Sequence, residues 1–110
     1  LVKLYFAAGG YITRGRPLWG VPPIPEGLDL YLAMLEGTHI PWAIALIGGA
    51  APDHALTRAA LERGGHVRIG LEDEPEGETN AEMVQRAVAL CAEVGRPVAT
   101  LTQTEEILGL

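Results

Sequence analysis

The sequence predicts an α/β fold in which parallel strands alternate with helices and form part of a closed (β/α)8 barrel. First, apolar strand-like runs and amphipathic helical segments alternate along the chain, an order that requires right-handed crossovers and a parallel sheet. Second, the loops that leave the strands are long, about fifteen, five and seven residues, as in α/β enzymes whose chemistry lies at the carboxyl ends of the strands. Third, one face of the last strand is polar, which argues against a sheet covered by helices on both sides.

The first βα unit occupies the first third of the chain. Residues 1–8 form an apolar run that predicts a strand, which a pair of glycines ends. A long loop rich in Gly and Pro follows. A helix is predicted over residues 25–36, because apolar residues recur there at helical spacing, and it stops at Gly37. The recurring residues are Leu28, Tyr31, Leu32 and Leu35.

The second unit begins with residues 41–49, PWAIALIGG, which read as a buried strand. Pro52 and Asp53 have the chemistry of a helix start, and Gly64 has that of a helix stop. Between them we expect a helix with a short apolar stripe. The residues of that stripe are Leu56, Ala59 and Ala60.

The third strand is predicted over residues 66–73, HVRIGLED. Because side chains alternate along a strand, this register separates an apolar face from a polar one. The apolar face would hold Val67, Ile69 and Leu71. The polar face would hold His66, Arg68, Gly70 and Glu72.

Two capping boxes follow the third strand. Thr79 and Glu82 predict the start of a third helix, whose apolar stripe is closed by Gly95. Thr102 and Glu105 predict a short helix at the end of the chain. The stripe of the third helix comprises Met83, Val84, Ala87, Val88, Cys91 and Val94.

The polar face decides between an open sheet and a barrel. In a doubly wound sheet, Arg68 and Glu72 would lie under a helix, whereas in a barrel they would point towards the axis. Lys3, on the equivalent face of the first strand, adds weak support. A whole (β/α)8 barrel needs roughly 250 residues. We therefore expect these units to be the last three of a barrel, as a single segment whose earlier strands lie outside the 110 residues.

Composition restricts the possible partners. The chain is 48% hydrophobic and carries a formal charge of −6, so it lacks the basic surface that nucleic acid or an anionic membrane would require. No apolar stretch reaches the length of about 18 residues needed to span a bilayer. The single cysteine, Cys91, excludes an internal disulfide framework and suggests a reducing, cytoplasmic location.

Several segments together resemble the C-terminal part of the β-keto acid cleavage enzymes. These are zinc-dependent TIM-barrel proteins that include 3-keto-5-aminohexanoate cleavage enzyme. The similarity covers essentially all 110 residues, and its most specific motif is R-[IV]-G-L-E-D ahead of an Asn-containing helix start. The segments are LVKLYF, WGVPPIPEGLDLYLAMLEGT, PWAIALIGG, GGHVRIGLED, TNAEMVQRAV and EVGRPVATLTQTEEILGL.

The resemblance implies a retro-Claisen exchange, in which a β-keto acid and acetyl-CoA give acetoacetate and a new CoA thioester. It also implies that Glu72 is a zinc ligand, that Asp73 accepts a proton and that Arg68 holds the charge of the site. Zinc can polarise a carbonyl oxygen as a Lewis acid, and an adjacent carboxylate can act as a general base. The family's other ligands are a His-x-His pair. No two of this chain's histidines have that spacing, so the chain supplies one zinc ligand at most.

Four further residues are candidates for binding a cofactor. Gly48 and Gly49 could let acetyl-CoA approach the backbone, or could form a tight turn that needs positive φ. Arg14 and Arg16, on the first loop, could meet CoA phosphates or remain solvated. Arg68 could equally be a structural partner of Glu72.

Two other functions stay open at the level of sequence. The chain could be a non-catalytic remnant or an assembly partner of a barrel. It could also be a small open-sheet domain that binds a phosphorylated ligand at Gly48 and Gly49. Because unpaired strand edges promote association, we expect these residues to be part of a longer protein or to form a homo-oligomer that covers the edges.

Overall fold

The computed structural model describes residues 1–8, 20–49, 51, 54–73 and 78–110. In these ranges three strands alternate with helices, and a further short helix ends the chain. The elements are β1 (Val2–Ala7), α1 (Pro25–Met34), β2 (Trp42–Ile47), α2 (Ala55–Glu62), β3 (His66–Arg68), α3 (Asn80–Val94) and α4 (Leu101–Leu108).

The three strands form one parallel sheet in the order β1-β2-β3. The predicted α/β alternation and parallel pairing are therefore confirmed. The sheet is open, and the described residues form no barrel, because three strands are too few for a sheet to close on itself. Beyond the ladder, Phe6 of β1 also forms an isolated parallel bridge with Val21.

One face of the sheet packs against α1 and α2. The ring of Phe6 is fully buried and meets Tyr31 of α1 edge-on, with ring centroids 5.2 Å apart. The register Leu4–Ile44–Val67 places apolar side chains of all three strands on this same face. The buried core comprises Leu4, Phe6, Leu28, Ile44, Leu46, Ala51, Leu56 and Ala60.

The opposite side of the sheet, called here the polar face, carries charged and small residues in rows. In a parallel sheet, paired residues project to the same side, so Tyr5, Ala45 and Arg68 form one row across the three strands. Arg68 therefore lies opposite the core shared with α1 and α2, as the sequence predicted. The residues of the polar face are Lys3, Tyr5, Ala43, Ala45, His66 and Arg68.

The helix starts agree with prediction for α3 and differ for α4. Thr79 and Glu82 form the predicted capping box. The box predicted at Thr102 is wrong, because Thr100 and Gln103 form the same S/T-x-x-E/Q motif two residues earlier. No helix in the described ranges has both the length and the apolar character needed to cross a bilayer.

Two details of the helices depart from the predicted pattern. The Nδ1 atom of His54 accepts a hydrogen bond from the Leu56 N–H at 3.2 Å and so caps α2; the predicted cap residues 52–53 lie outside the described residues. On α3, Met83, Ala87 and Leu90 are buried, whereas two valines of the predicted stripe are about half exposed. These are Val84 and Val88.

The third strand is shorter than predicted. It ends at Arg68 instead of continuing through residue 73. The chain then turns, and the Asp73 N–H donates a hydrogen bond to the Gly70 carbonyl at 3.0 Å. Strand alternation therefore does not determine where the Glu72 side chain points.

Candidate active site at the carboxyl end of the sheet

The turn after β3 brings the three predicted reactive residues together. Arg68 is the last residue of β3, and its Nη1 donates to both carboxylate oxygens of Asp73, at 2.8 and 2.7 Å. Its other terminal nitrogen, Nη2, donates to Glu72. One guanidinium thus contacts two consecutive acids, and the ion pair between Arg68 and Glu72 considered from the sequence is present.

The two acids differ sharply in exposure. The Glu72 side chain is 75% exposed, whereas that of Asp73 is 5% exposed, and the guanidinium group between them belongs to a side chain that is 31% exposed. A ligand arriving from solvent can therefore reach the Glu72 carboxylate. Asp73 is shielded from bulk water and depends on Arg68 for its charged partner.

This difference in environment moves the two pKa values apart. Burial raises the pKa of Asp73 above its ordinary value, although Arg68 opposes the shift. The hydrogen bond and charge of Arg68 lower the pKa of Glu72, with a smaller contribution from the Lys3 ammonium. Two neighbouring acids with opposite shifts can divide their roles, one carrying charge and the other a proton.

The glycines predicted to bind a cofactor lie beside this cluster. The Gly48 N–H donates to the Asp73 carbonyl at 2.8 Å, and Gly48 has a φ of 77°, which favours glycine. A Cβ added at Gly49 would lie 2.7 Å from the Ala8 Cβ. Both glycines therefore have structural reasons to be present, in a tight turn and at a close approach between strand ends.

One contact of the turn could not be recognised from the sequence. The Leu71 N–H donates to the side-chain oxygen of Asn80 at 3.0 Å, across nine residues. Asn80 is the first residue of α3, directly after the Thr79 cap. Its only signal in the sequence is its place at the start of a helix that follows an acidic turn, and no local rule predicts such a long-range partner.

Arg14 and Arg16 lie outside the described residues. His66 lies in the row before Arg68, where burial and the charge of Arg96 lower its pKa. Within the described part of the chain, no three His, Cys, Asp or Glu side chains are grouped closely enough to hold a metal ion. Glu72, exposed and with a lowered pKa, has the chemistry of a single metal ligand.

Comparison with known proteins identifies similar sequences. Residues 9–110 match the sequence profile of the beta-keto acid cleavage enzyme family. The chain is 46% identical over 61 residues to 3-oxoadipate:acetyl-CoA acetyltransferase from Cupriavidus necator, covering 50% of this chain and 22% of that protein. It is 35% identical over 85 residues to 3-keto-5-aminohexanoate cleavage enzyme from Acetoanaerobium sticklandii, covering 61% and 31%. It is 31% identical over 92 residues to 3-dehydrocarnitine:acetyl-CoA trimethylamine transferase from Rhizobium meliloti, covering 79% and 29%. The matches thus span less than a third of each relative.

Proposed function

The chain belongs to the beta-keto acid cleavage enzyme family, and on this premise we propose that the complete protein is a zinc-dependent acyltransferase that cleaves a β-keto acid with acetyl-CoA. The products would be acetoacetate and the CoA thioester of the remaining acyl group. The observation that carries this proposal is the contact of Arg68 with both Glu72 and Asp73 at the carboxyl end of a parallel sheet. The names of two similar proteins, an acetyltransferase and a trimethylamine transferase, also contain acetyl-CoA.

In the proposed reaction, Asp73 takes a proton from the carbon that lies between the keto group and the carboxylate of the substrate. The carbanion attacks the acetyl carbonyl of acetyl-CoA and releases the CoA thiolate. The thiolate then attacks the original keto carbon, the bond to the former CH2 carbon breaks, and Asp73 returns its proton to the leaving acetoacetate carbanion. A shielded carboxyl group with a raised pKa suits this reversible proton transfer.

Arg68 and Glu72 have different proposed tasks. Arg68 would keep Asp73 in place and balance the negative charge that passes through the site, since its guanidinium already contacts both acids. Glu72 would be one zinc ligand, and the remaining ligands would come from outside the described residues. When bound, zinc would polarise the keto oxygen as a Lewis acid.

The fold around the site suits a closed barrel in the complete protein. The helices α1 and α2 share a core with one face of the sheet, while charged side chains occupy the other face. In a (β/α)8 barrel the second face points to the axis, and groups at the carboxyl ends of the strands form the active site. We therefore propose that the polar face points inward and that further strands pair with β1 and β3.

Acetyl-CoA would enter beside Gly48 and Gly49, whose backbone lies next to the Asp73 carbonyl. Arg14 and Arg16 remain predicted contacts of the CoA phosphates.

The half-exposed Val84 and Val88 on α3 are suited to a contact between copies of the protein, so we also propose a homo-oligomer.

The test uses the full-length protein, acetyl-CoA and a panel of β-keto acids, with the CoA thioester detected by mass spectrometry. Asp73→Asn should lower kcat by about 10²-fold or more, because it removes the proton acceptor. Glu72→Gln should lower bound zinc, measured by elemental analysis. Glu93→Gln is the matched control, since Glu93 belongs to an exposed ion pair with Arg58. If wild-type protein forms no acyl-CoA other than the acetyl-CoA supplied, the proposed reaction is contradicted, and full zinc in Glu72→Gln would remove the ligand assignment.

A further inference from the structure

We propose that Asn80 is a positioning residue, whose side-chain oxygen holds the turn that carries Glu72 and Asp73. Asn80 does not belong to the reactive cluster, and its contact is with the backbone of Leu71. The inference rests on the proposed function, because the value of an ordered turn depends on what Glu72 and Asp73 do. It adds a residue from a different element, α3, to the machinery of the site.

The contact is specific in its geometry. The Leu71 N–H donates to Asn80 Oδ1 at 3.0 Å, within the usual range for such a bond. The same oxygen would lie 3.6 Å from a Cβ added at Gly70, so it lies against the backbone of both residues that begin the turn. The bond acts on the main chain immediately before Glu72. The exposed Leu71 side chain is not packed in the core and so adds little to holding this part of the turn.

Asn80 is not needed to start its own helix. The Thr79 side chain accepts the Glu82 N–H, and the Glu82 carboxylate accepts the Thr79 N–H at 2.8 Å, so the capping box is complete without Asn80. Asparagine is also a weak helix former inside a helix. The side-chain oxygen of Asn80 therefore accepts a hydrogen bond from the turn and not from its own helix. The capping box holds the backbone of Asn80 in place.

Three contacts from three elements together hold the turn. Arg68 of β3 fixes the Asp73 carboxylate, the Gly48 N–H after β2 fixes the Asp73 carbonyl at 2.8 Å, and Asn80 of α3 fixes the Leu71 N–H. The first two contacts act at the end of the turn. Asn80 acts near its beginning, where the Gly70 carbonyl accepts a bond only from within the turn among the described residues, from the Asp73 N–H. Without the Asn80 bond, we expect the main chain to pivot about Asp73 and to move Glu72. A displacement of about 1 Å in an active site can cost about 10²-fold in rate.

The experiment compares two substitutions at Asn80 in the full-length protein. Asn80→Ala removes the acceptor oxygen. We expect faster hydrogen exchange at the Leu71 amide, by about tenfold or more, and a fall in kcat of about 10- to 100-fold with KM for acetyl-CoA nearly unchanged. Asn80→Asp keeps an oxygen at the same position and should restore slow exchange and most of kcat. A carboxylate is also favourable in the first turn of a helix.

Thr100→Ala provides the control for a general loss of helix stability. It removes the N-cap of α4, a helix that supplies none of the hydrogen bonds described for the turn, and it should leave kcat and the Leu71 exchange unchanged. Wild-type kcat in Asn80→Ala, or failure of Asn80→Asp to restore kcat while it restores slow exchange, would overturn the proposal. If wild-type protein forms no CoA thioester, the proposed function fails. The exchange at Leu71 then decides whether Asn80 holds the turn.

Discussion

Replacing Arg68 with glutamine tests the central contact of the site. The substitution keeps a polar side chain of intermediate length but removes the charge and the Nη1 donor, which lies 2.8 and 2.7 Å from the two carboxylate oxygens of Asp73. Asp73, with a side chain only 5% exposed, would then keep a buried carboxyl group without its charged partner. We expect the full-length protein to lose stability, and the loss to depend on pH.

The magnitude follows from burial. An unsatisfied buried polar group costs about 1–3 kcal/mol, and removal of one partner from a fully buried ion pair costs about 3–5 kcal/mol. Since Arg68 is 31% exposed, solvent screens part of the pair, and the lower range of about 1–3 kcal/mol applies. Because the folded-state pKa of Asp73 is raised, its protonation favours the folded state at low pH, and this contribution is lost as pH rises. Removing Arg68 takes away the interaction that opposes this shift, so the cost of Arg68→Gln should be largest where Asp73 is ionised and should shrink in acid.

Urea unfolding at several pH values measures this free energy. Arg58→Gln is the matched control, because it breaks the ion pair with Glu93 in which both side chains are well exposed, 43% and 62%. Such surface pairs contribute about 0–1 kcal/mol. Equal losses in the two variants, or a loss at Arg68 that does not shrink in acid, would refute the conclusion that Asp73 is buried and dependent on Arg68.

Three further predictions concern the surrounding fold. Gly65→Ala should cost about 1–3 kcal/mol in unfolding free energy, because its new Cβ would overlap the Trp42 ring; an unchanged denaturation midpoint would contradict that close approach. Burial and Arg96 lower the pKa of His66, so the folded state resists its protonation and the unfolding free energy of wild type should fall as pH drops below the ordinary histidine pKa of 6.5. His66→Asn should make this fall smaller, and equal pH profiles of the unfolding free energy for variant and wild type would exclude this. Phe6→Ala should cost about 3–5 kcal/mol by thermal or urea unfolding, because Phe6 is fully buried, and a cost below that of Gly65→Ala would place Phe6 outside the core.

The spacing of apolar residues and the residues that begin or end helices and strands predict most of the fold. Strands over residues 1–8 and 41–49 and a helix over residues 25–36 agree with the structure to within two residues at each end. Gly95, in a left-handed conformation, ends α3 as predicted. These features are local, since each depends on residues a few positions apart. Closure into a barrel depends on strands that the described residues do not contain, so it remains a proposal for the complete protein.

The sequence indicates which side chains of the candidate site meet, but not the geometry in which they meet. The motif that contains Arg68 predicts roles for Glu72 and Asp73, and the three side chains are in contact, whereas the roles themselves stay predictions. The contacts of Gly48 and Asn80 with the turn could not be predicted, because they join backbone and side-chain groups from different elements. Such partners depend on how β2 and α3 are placed beside β3, and no pattern within the turn itself contains that information.

The third strand ends earlier than the sequence predicted, and this early end explains how two adjacent acids can reach one arginine. In a continuous strand, neighbouring side chains point to opposite faces, so Glu72 would share the polar face with Arg68, whereas Asp73 would point to the opposite side, towards the helices. There its carboxylate would be buried away from Arg68, at a substantial cost. Because β3 ends at Arg68 and the chain turns, closed by the Asp73 N–H on the Gly70 carbonyl at 3.0 Å, both acids approach the same guanidinium. The short strand thus gives Glu72 access to solvent while Asp73 stays buried, and the opposite pKa shifts of two chemically similar side chains follow from the turn.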